Sequence, residues 1–328
     1  MRIFVAGATG ALGLAVVRQL INEGHDVVGL ARTARRTTSL GALGARVVVA
    51  DALNAASLRG AVIGAQPDVV VHALTAIPSR SPLRASDLDA TSRLRVSGTK
   101  NLLSAAICAG ARRIIVESMV FIYGFGDLGD TALTENGPPA QEVPVTATWL
   151  RTSIDALISE EAQIMKASQA GSIEGVVLRF GGFYGPGAGI DVIMSRLQRR
   201  LLPLPKRPRS RGVPWVHITD AGSAVVAAVS RGSSGNVYNV ADDEAVPARE
   251  FINYLAETIR APTPLLVPNW VSRIAAPFVT SAWFNTTLRV SNEKANRELG
   301  WAPQFPTYRD GVAQSVQMAK KHAREPVA

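Results

Sequence analysis

Apolar residues form two kinds of run along the chain, either short and continuous or longer with helical spacing. The first continuous run covers residues 2–6, and after it Leu12, Val16, Val17 and Leu20 recur at helical spacing until Gly24. A continuous run is typical of a strand buried on both faces, whereas three- and four-residue spacing indicates an amphipathic helix. The same alternation predicts strands at 26–31, 46–50, 68–72, 113–116 and 175–179, and helices at 55–63, 86–109 and 148–170.

Three glycines, Gly7, Gly10 and Gly13, stand where the first strand passes into the first helix. Glycine in such a turn lets the backbone approach a pyrophosphate, which then lies at the positive N-terminus of the helix. With a strand before it, a helix after it and a second strand beyond, this motif predicts dinucleotide binding. The residues expected to hold the phosphates are Gly7, Thr9, Gly10, Ala11, Leu12 and Gly13.

Regular alternation of strands and helices builds a parallel sheet with helices on both faces. We therefore predict an α/β chain with a Rossmann-type, doubly wound sheet in residues 1–185. After Gly185 the pattern breaks into shorter pieces, with helices expected at 190–200, 220–230, 248–259 and 292–299 and strands at 215–217 and 237–240. Residues 186–328 are predicted to form a smaller α/β substrate subdomain on the carboxyl edge of the sheet, with some of its strands returning to the main sheet.

The end of the second strand indicates which dinucleotide is bound. An NAD site has an acid here for the ribose 2′-hydroxyl, but this strand ends in Arg32, followed by Arg35 and Arg36. Guanidinium groups pair with a 2′-phosphate, so NADP(H) is predicted, with Arg32 and Arg36 as its ligands. The alternative is that these arginines only begin a solvated helix. Asp51, with Ala52 beside it, could reach the adenine, although a helix N-cap role is also open.

Composition places the chain among globular proteins, since 47% of its 328 residues are hydrophobic and 19% are charged. The single cysteine, Cys108, excludes an internal disulfide and fits a reducing compartment. A secretory leader, an apolar run of about 20 residues and metal-ligand spacing are all missing from the sequence. These features predict a cytoplasmic protein without a membrane span or a bound metal.

The net charge of +9 is unevenly distributed. Residues 196–211 contain seven basic residues, no acid and three prolines. One interpretation is a solvated basic loop. The functional interpretation is a site between Arg196 and Arg211 for an anionic substrate group or an acidic carrier protein. Nucleic acid is not expected as a partner, because no interleaved aromatic residues accompany the charge.

Several segments, in this order and spacing, resemble the extended short-chain dehydrogenase/reductases, the NAD-dependent epimerase/dehydratase group. They are Gly7–Gly13, His72–Ala76, Ser97–Leu103, Ser118–Gly124, Leu178–Gly187, Val216–Asp220, Tyr238–Val240 and Leu299–Pro303. The resemblance implies a nicotinamide cofactor and a small-molecule substrate. It also implies that Ala73, Leu74 and Thr75 line the ribose, and that Ser118, Phe180, Gly181 and Gly182 border the nicotinamide.

That group's chemistry uses a tyrosine as acid/base, a lysine four residues later and an upstream hydroxyl. The five tyrosines of this chain all lie outside the predicted helix 148–170 that should carry the motif. Alignment on Glu160 and Glu161 gives the following occupants: Thr152 or Ser153 for tyrosine, Ala156 or Leu157 for lysine, Met119 for the hydroxyl and Arg95 for a family asparagine. The frame therefore matches the family, and the usual proton machinery is predicted to be missing.

Three explanations are open. The protein can be a ketoreductase whose proton comes from the substrate or water, which a phenol beside the ketone permits. It can be a binding protein that senses NADP(H). It can also catalyse sugar-nucleotide or non-redox chemistry with Asp155, Ser118 or Tyr123. We favour an NADPH-dependent ketoreductase similar to atypical polyketide ketoreductases of antibiotic biosynthesis, in which Ser118 and Tyr123 orient the substrate.

A cluster of apolar residues near the C-terminus bears on the substrate. Its members are Leu265, Leu266, Val267, Trp270, Val271, Ile274, Phe278, Trp283 and Phe284. They can form a packed helical lid, or an apolar wall for a flat aromatic substrate. A sugar nucleotide would require more polar groups here, which favours an apolar, aromatic substrate, although the arginines at 196–211 could bind the diphosphate of a sugar nucleotide.

Overall fold

The computed structural model describes residues 1–33, 37–78, 82–137, 139–140 and 150–324. The strands are β1 (Arg2–Ala6), β2 (Asp26–Ala31), β3 (Arg46–Val49), β4 (Val69–His72), β5 (Arg113–Met119), β6 (Glu174–Phe180), β7 (Gly182–Tyr184), β8 (Leu204–Pro205), β9 (Trp215–His217), β10 (Asn236–Val240) and β11 (Leu266–Val267). The α-helices are α1 (Ala11–Asn22), α2 (Thr38–Ala42), α3 (Ala55–Ala65), α4 (Asp89–Arg93), α5 (Thr99–Cys108), α6 (Arg151–Gln169), α7 (Ile190–Gln198), α8 (Ile218–Arg231), α9 (Ala248–Thr258), α10 (Asn269–Ala275), α11 (Pro277–Val279) and α12 (Tyr308–Arg324).

Seven strands form one parallel sheet in the order β10-β6-β5-β4-β1-β2-β3. Helices α1 and α8 cover one face, where Val16, Val17 and Val225 join the core. Helices α3, α5 and α6 cover the other face, where Leu58 and Leu102 are fully buried. The chain order reverses beside β1, so ligands are expected at the carboxyl ends of the strands next to it. The predicted doubly wound α/β fold is confirmed.

The predicted long helix at 86–109 is helical throughout 85–108, but its hydrogen-bond pattern changes along the way. A 3₁₀ turn (Ala85–Leu88) leads into α4, and a π-helical turn (Leu94–Gly98) separates α4 from α5. Wide turns of this kind are frequent at functional sites. The π turn carries Arg95, whose side chain is buried although it is charged. Periodicity of apolar residues does not report such a turn, because one extra residue per turn barely changes the spacing.

Two strands are longer than predicted, and one predicted short strand joins the main sheet. β5 continues through Glu117 and Ser118 to Met119, in register with β6 up to Phe180. The polar residues hid this continuation, because a strand buried on both faces is expected to be apolar. Strand β10 pairs in parallel with β6 and forms the edge of the seven-stranded sheet.

The remaining C-terminal elements pack around a second apolar core. Strand β7 pairs with β9, and β8 with β11. Their core includes Tyr184, Trp215, Phe251 and Tyr308, which come from β7, β9, α9 and α12. The boundary at residue 185 stays a prediction. In the described part of the chain, no helix is both long and apolar enough to cross a membrane.

Candidate cofactor and substrate site

The glycine motif lies at the carboxyl end of β1, beside β4. Gly7 has a φ of 91°, and a Cβ there would lie well inside 3.0 Å of the Ala73 carbonyl. A Cβ on Gly13 would overlap the Gly7 carbonyl in the same way. These two glycines are therefore required by the close approach of α1, β1 and the segment after β4.

Gly10 differs from the other two glycines of the motif. It is exposed, and a Cβ there would meet only the Gly7 carbonyl oxygen, at 3.3 Å. It is also the N-cap of α1, and no side chain caps that helix end. The first backbone N–H groups of α1 are thus left for a ligand, which is the arrangement that binds phosphate. The residues present fit a dinucleotide pyrophosphate at Gly7–Gly13.

The residues predicted to hold the adenosine half lie at neighbouring strand ends. Arg32 is exposed at the end of β2, and Arg36 lies outside the described residues. Asp51 is exposed after β3, and its Oδ1 accepts the backbone N–H of Leu53 at 3.0 Å. Ala52 is buried, and its carbonyl accepts from Asn101 Nδ2 at 3.0 Å. A 2′-phosphate contact by Arg32 and an adenine contact by Asp51 stay predictions.

The ribose segment follows β4 directly. Ala73 is buried above Gly7, whereas Leu74 and Thr75 are partly exposed. The preceding His72 is buried, its Nε2 lies 2.8 Å from Thr99 Oγ1, and its Nδ1 accepts the Leu74 N–H. Burial and the nearby charge of Arg95 lower the pKa of His72 to about 3, so this imidazole is neutral. His72 therefore fixes the start of the ribose segment without bearing charge.

A buried ion-pair cluster lies between β5 and α6. Arg95 contacts Glu160, and its Nη2 lies 3.2 Å from Glu117 Oε1. Burial raises the pKa of Glu160 to about 8, against the opposing effect of Arg95 and with the help of the Glu117 and Glu161 charges. Burial likewise raises the pKa of Glu117, against Arg95. Two carboxyl groups thus share one guanidinium, which favours retention of a proton on the pair.

A second buried ion pair lies beside this cluster. Both residues predicted to orient the substrate are hydrogen-bonded to it. Arg179 on β6 binds Glu161 through Nη2 at 2.6 Å, and Ser118 Oγ donates to Glu161 Oε1 at 2.6 Å. Arg179 Nη1 donates to the Tyr123 hydroxyl at 2.8 Å, and that hydroxyl lies 2.9 Å from Asn239 Oδ1. Glu161 raises the pKa of Arg179 despite its burial, and burial raises the pKa of Tyr123.

Ser118 and Tyr123 are 0% and 4% exposed. Their hydroxyls are bound inside the protein, so their role with a substrate stays a prediction. The sequence interpretation missed the Arg179–Glu161 pair. A usable signal was present, since an arginine inside an apolar strand needs a buried partner.

Helix α6 carries the positions that align with the family tyrosine and lysine. Residues 148–149 of the predicted helix lie outside the described residues. Thr152 is exposed and Ser153 partly exposed, near the start of the helix. Ala156 and Leu157 are buried among apolar neighbours. The positions aligned with the family lysine therefore carry no cation in this chain.

The predicted nicotinamide border lies at the end of β6. Phe180 is fully buried. A Cβ on Gly181 would press on the backbone of Pro214 and Trp215, and a Cβ on Gly182 would overlap the indole of Trp283. Both glycines are thus explained by protein contacts, and contact with a nicotinamide stays a prediction.

The apolar C-terminal segment divides into a packed and an exposed part. Phe278 and Phe284 are buried, whereas Trp270 and Ile274 are 65% and 71% exposed. In the basic stretch, Arg211 pairs with Asp127 at 2.8 Å and with Asp130 at 3.1 Å. An acidic carrier or an anionic substrate group at 196–211 stays a prediction, and so does an apolar wall.

Comparison with known proteins identifies the class. Residues 3–241 match the model of the NAD dependent epimerase/dehydratase family, and the chain belongs to that family. It is accordingly an NAD(P)-dependent oxidoreductase, as predicted.

The chain is similar to two reductases in sequence and to an epimerase in fold. The chain is 36% identical to a Streptomyces 3-diazoavenalumate denitrifying reductase, with 95% of this chain and 99% of the relative covered. It is 25% identical to a Stigmatella aurantiaca 4-hydroxy-2-methyl-3-oxo-4-farnesyl-3,4-dihydroquinoline-1-oxide ketoreductase, with 95% of each chain covered. Its fold matches the UDP-glucose 4-epimerase of Thermus thermophilus in complex with NAD, with a TM-score of 0.79, 20% identity and full coverage of both chains.

Proposed function

We propose that this protein is an NADPH-dependent reductase of an aromatic substrate that requires a hydride but no proton from the protein. The observation that carries this proposal is the closed polar network at the ends of β5 and β6. Its three acids, Glu117, Glu160 and Glu161, are buried, and each is paired with Arg95 or Arg179. Tyr123 is likewise buried and hydrogen-bonded.

The cofactor proposal rests on two parts of the predicted dinucleotide site, the glycine turn and Arg32. The open glycine turn and the uncapped start of α1 suit the pyrophosphate, and Arg32 suits a 2′-phosphate better than a hydroxyl. Bound there, NADPH would supply a hydride. The chain's own contribution is to hold the dinucleotide through backbone N–H groups and to keep ionisable side chains away from the reacting atoms.

A diazonium group is the acceptor that best fits this arrangement. The carbon that bears the diazonium group accepts a hydride while dinitrogen leaves. R–N₂⁺ and H⁻ thus give R–H and N₂, with atoms and charge balanced. No oxygen is protonated in this reaction, and the tyrosine and lysine of the family have no task. The similarity to a denitrifying reductase, at 36% identity over nearly the full length of both chains, supports this acceptor.

A ketone is the second candidate acceptor, and the similarity to a quinoline oxide ketoreductase favours it. Its reduction requires a proton as well as a hydride, because the carbonyl oxygen becomes a hydroxyl. A phenol beside the ketone, as in aromatic polyketides and hydroxyquinones, would supply that proton and would leave the closed network untouched.

The experiment uses the full chain, NADPH deuterated separately on each face of C4, and 4-hydroxybenzenediazonium as probe. We expect release of N₂ above the enzyme-free rate, with deuterium entering the product from one of the two labelled cofactors. Transfer from both faces alike, or no enzymic N₂, would overturn the diazonium proposal.

The same assay with hydroxyquinones tests the ketone as acceptor. Oxidation of NADPH in the presence of a hydroxyquinone would support it. Conversion of dTDP-glucose or UDP-glucose without net cofactor consumption would overturn both acceptors in favour of sugar-nucleotide chemistry. Tight NADPH binding with no turnover of any probe would instead indicate a sensor.

A further inference from the structure

Five aromatic rings form a continuous column from the C-terminal core to the end of β5. Phe251 stacks on Trp215 and Trp215 on Trp283, each with ring centroids 4.6 Å apart. Phe121 packs against Trp283 at 5.3 Å with the two rings nearly perpendicular, and Phe121 stacks on Phe125 at 5.1 Å. Four of these rings are buried, whereas Trp283 is partly exposed. Trp283 is therefore the member of this aromatic column that a ligand can reach.

Trp283 lies across the ends of two central strands. It comes from the π turn Thr280–Phe284, and its indole lies against Gly182, two residues after β6 ends. Phe121, which packs against the indole, lies two residues after β5 ends. The carboxyl ends of β5 and β6 are adjacent in the sheet, so the indole lies at the edge where this fold binds its ligands.

Position 182, which faces the indole of Trp283, has room only for a glycine. Any side chain at position 182 would place its Cβ well inside 3.0 Å of the six-membered ring of Trp283. Glycine at 182 and tryptophan at 283 are thus a complementary pair. Met119 and Phe183, the neighbours at the same strand ends, are also partly exposed and apolar. The walls at this edge suit a flat apolar ring better than a sugar with its many hydroxyls.

We propose that Trp283 forms a stacking subsite for a planar aromatic ring of the substrate. The identity of that ring as the hydride acceptor rests on the proposed function, whereas the binding of a planar ring does not. The aromatic column holds the indole in one orientation, because it is stacked on Trp215 and packed at nearly a right angle against Phe121. A preordered ring loses little entropy when a second ring stacks on it.

Calorimetry of the NADPH-bound protein with 2-naphthol tests this subsite, because the probe is planar and neutral. Trp283→Leu should weaken 2-naphthol binding about five- to tenfold, the usual contribution of an aromatic pair. Trp283→Phe should retain most of the affinity. The control is Ile63→Ala, which removes an exposed apolar side chain of α3 outside the predicted apolar wall and should leave the affinity unchanged. The saturated analogue decahydro-2-naphthol should bind weakly to all four proteins.

A readout on the unmutated protein covers the case in which Trp283→Leu does not fold. The chain has five tryptophans, and in 5-fluorotryptophan-labelled protein the Trp283 fluorine signal is assigned from Trp283→Phe. We expect 2-naphthol to shift this signal and to leave the Trp270 signal in place. Equal affinity of Trp283→Leu, equal binding of the saturated analogue, or an unmoved Trp283 signal overturns the proposal.

The subsite and the proposed function can fail separately. Binding of 2-naphthol at Trp283 without reduction of any diazonium or quinone would keep the subsite and remove the function. Reduction with unchanged KM in Trp283→Leu would keep the function and remove the subsite.

Discussion

At the carboxyl end of β1 the backbone is open to a ligand, whereas at the carboxyl ends of β5 and β6 charged side chains bind one another; these regions are the open half and the closed half of the site. Gly10 gives the start of α1 no side-chain cap, and none comes from the rest of the described chain. Arg95 and Arg179, by contrast, are 5% and 4% exposed and paired with carboxylates. We propose that the open half binds the cofactor as in the family, whereas the charges of the closed half neutralise one another. A reaction that needs a hydride alone requires the first half and can dispense with the second.

The largest effect is expected where the closed half is broken. Arg179→Met leaves Glu161 buried without its cation, which should lower the free energy of unfolding by about 3–5 kcal/mol in urea denaturation. The exposed pair of Arg211 and Asp127 supplies the control, and Arg211→Met should change stability little. If the double variant Arg179→Met/Glu161→Leu is no more stable than Arg179→Met, the uncompensated charge is not the cause.

In the open half, Gly13→Ala should lower the free energy of unfolding by about 1–3 kcal/mol, since its Cβ overlaps the Gly7 carbonyl. It should also weaken NADPH binding, because α1 is pushed away from the turn. Gly60→Ala in α3 is the control, since a Cβ there meets nothing within 4 Å and alanine favours a helix. Denaturation and cofactor titration of both variants check this, and equal behaviour would mean that the turn is not tightly packed.

Cofactor choice tests the open half more finely. Arg32→Asp should weaken NADPH binding about tenfold or more while leaving NADH binding nearly unchanged, because the carboxylate repels a 2′-phosphate and accepts from a 2′-hydroxyl. Fluorescence titration with both cofactors measures the ratio. Equal losses for the two cofactors would contradict the NADP assignment.

A pH dependence from Glu160 is also expected in the closed half. Its pKa rises from an ordinary 4.5 to about 8 on folding, so the folded chain holds a proton that the unfolded chain releases. Stability from this group is therefore full below about pH 4.5, falls as the pH rises towards 8 and is level above it. Glu160→Gln should flatten this slope in Tm measurements from pH 5 to 8. Parallel curves for the two proteins would assign the slope to another group.

Local chemistry was sufficient for the open half. The run at 2–6, the glycines at 7, 10 and 13 and the apolar spacing of α1 lie within about twenty residues, and their types and spacing predict the turn, although Gly7 also meets Ala73 after β4. The parallel sheet followed from the same alternation. Arg95, Glu117, Glu161 and Arg179 could be read as unusual residues, but the ion pairs of Arg95 and Arg179 join positions 18 to 65 residues apart.

The sequence by itself determined the fold class, and it predicts the dinucleotide turn and the loss of the family tyrosine, because these depend on residue type and short-range spacing. The tertiary structure decided which charges neutralise one another, that Ser118 and Tyr123 are bound inside that network, and that Trp283 lies against Gly182. Those contacts join strand ends and helices that are distant in the chain, so burial and ion pairing become visible once the sheet has brought them together.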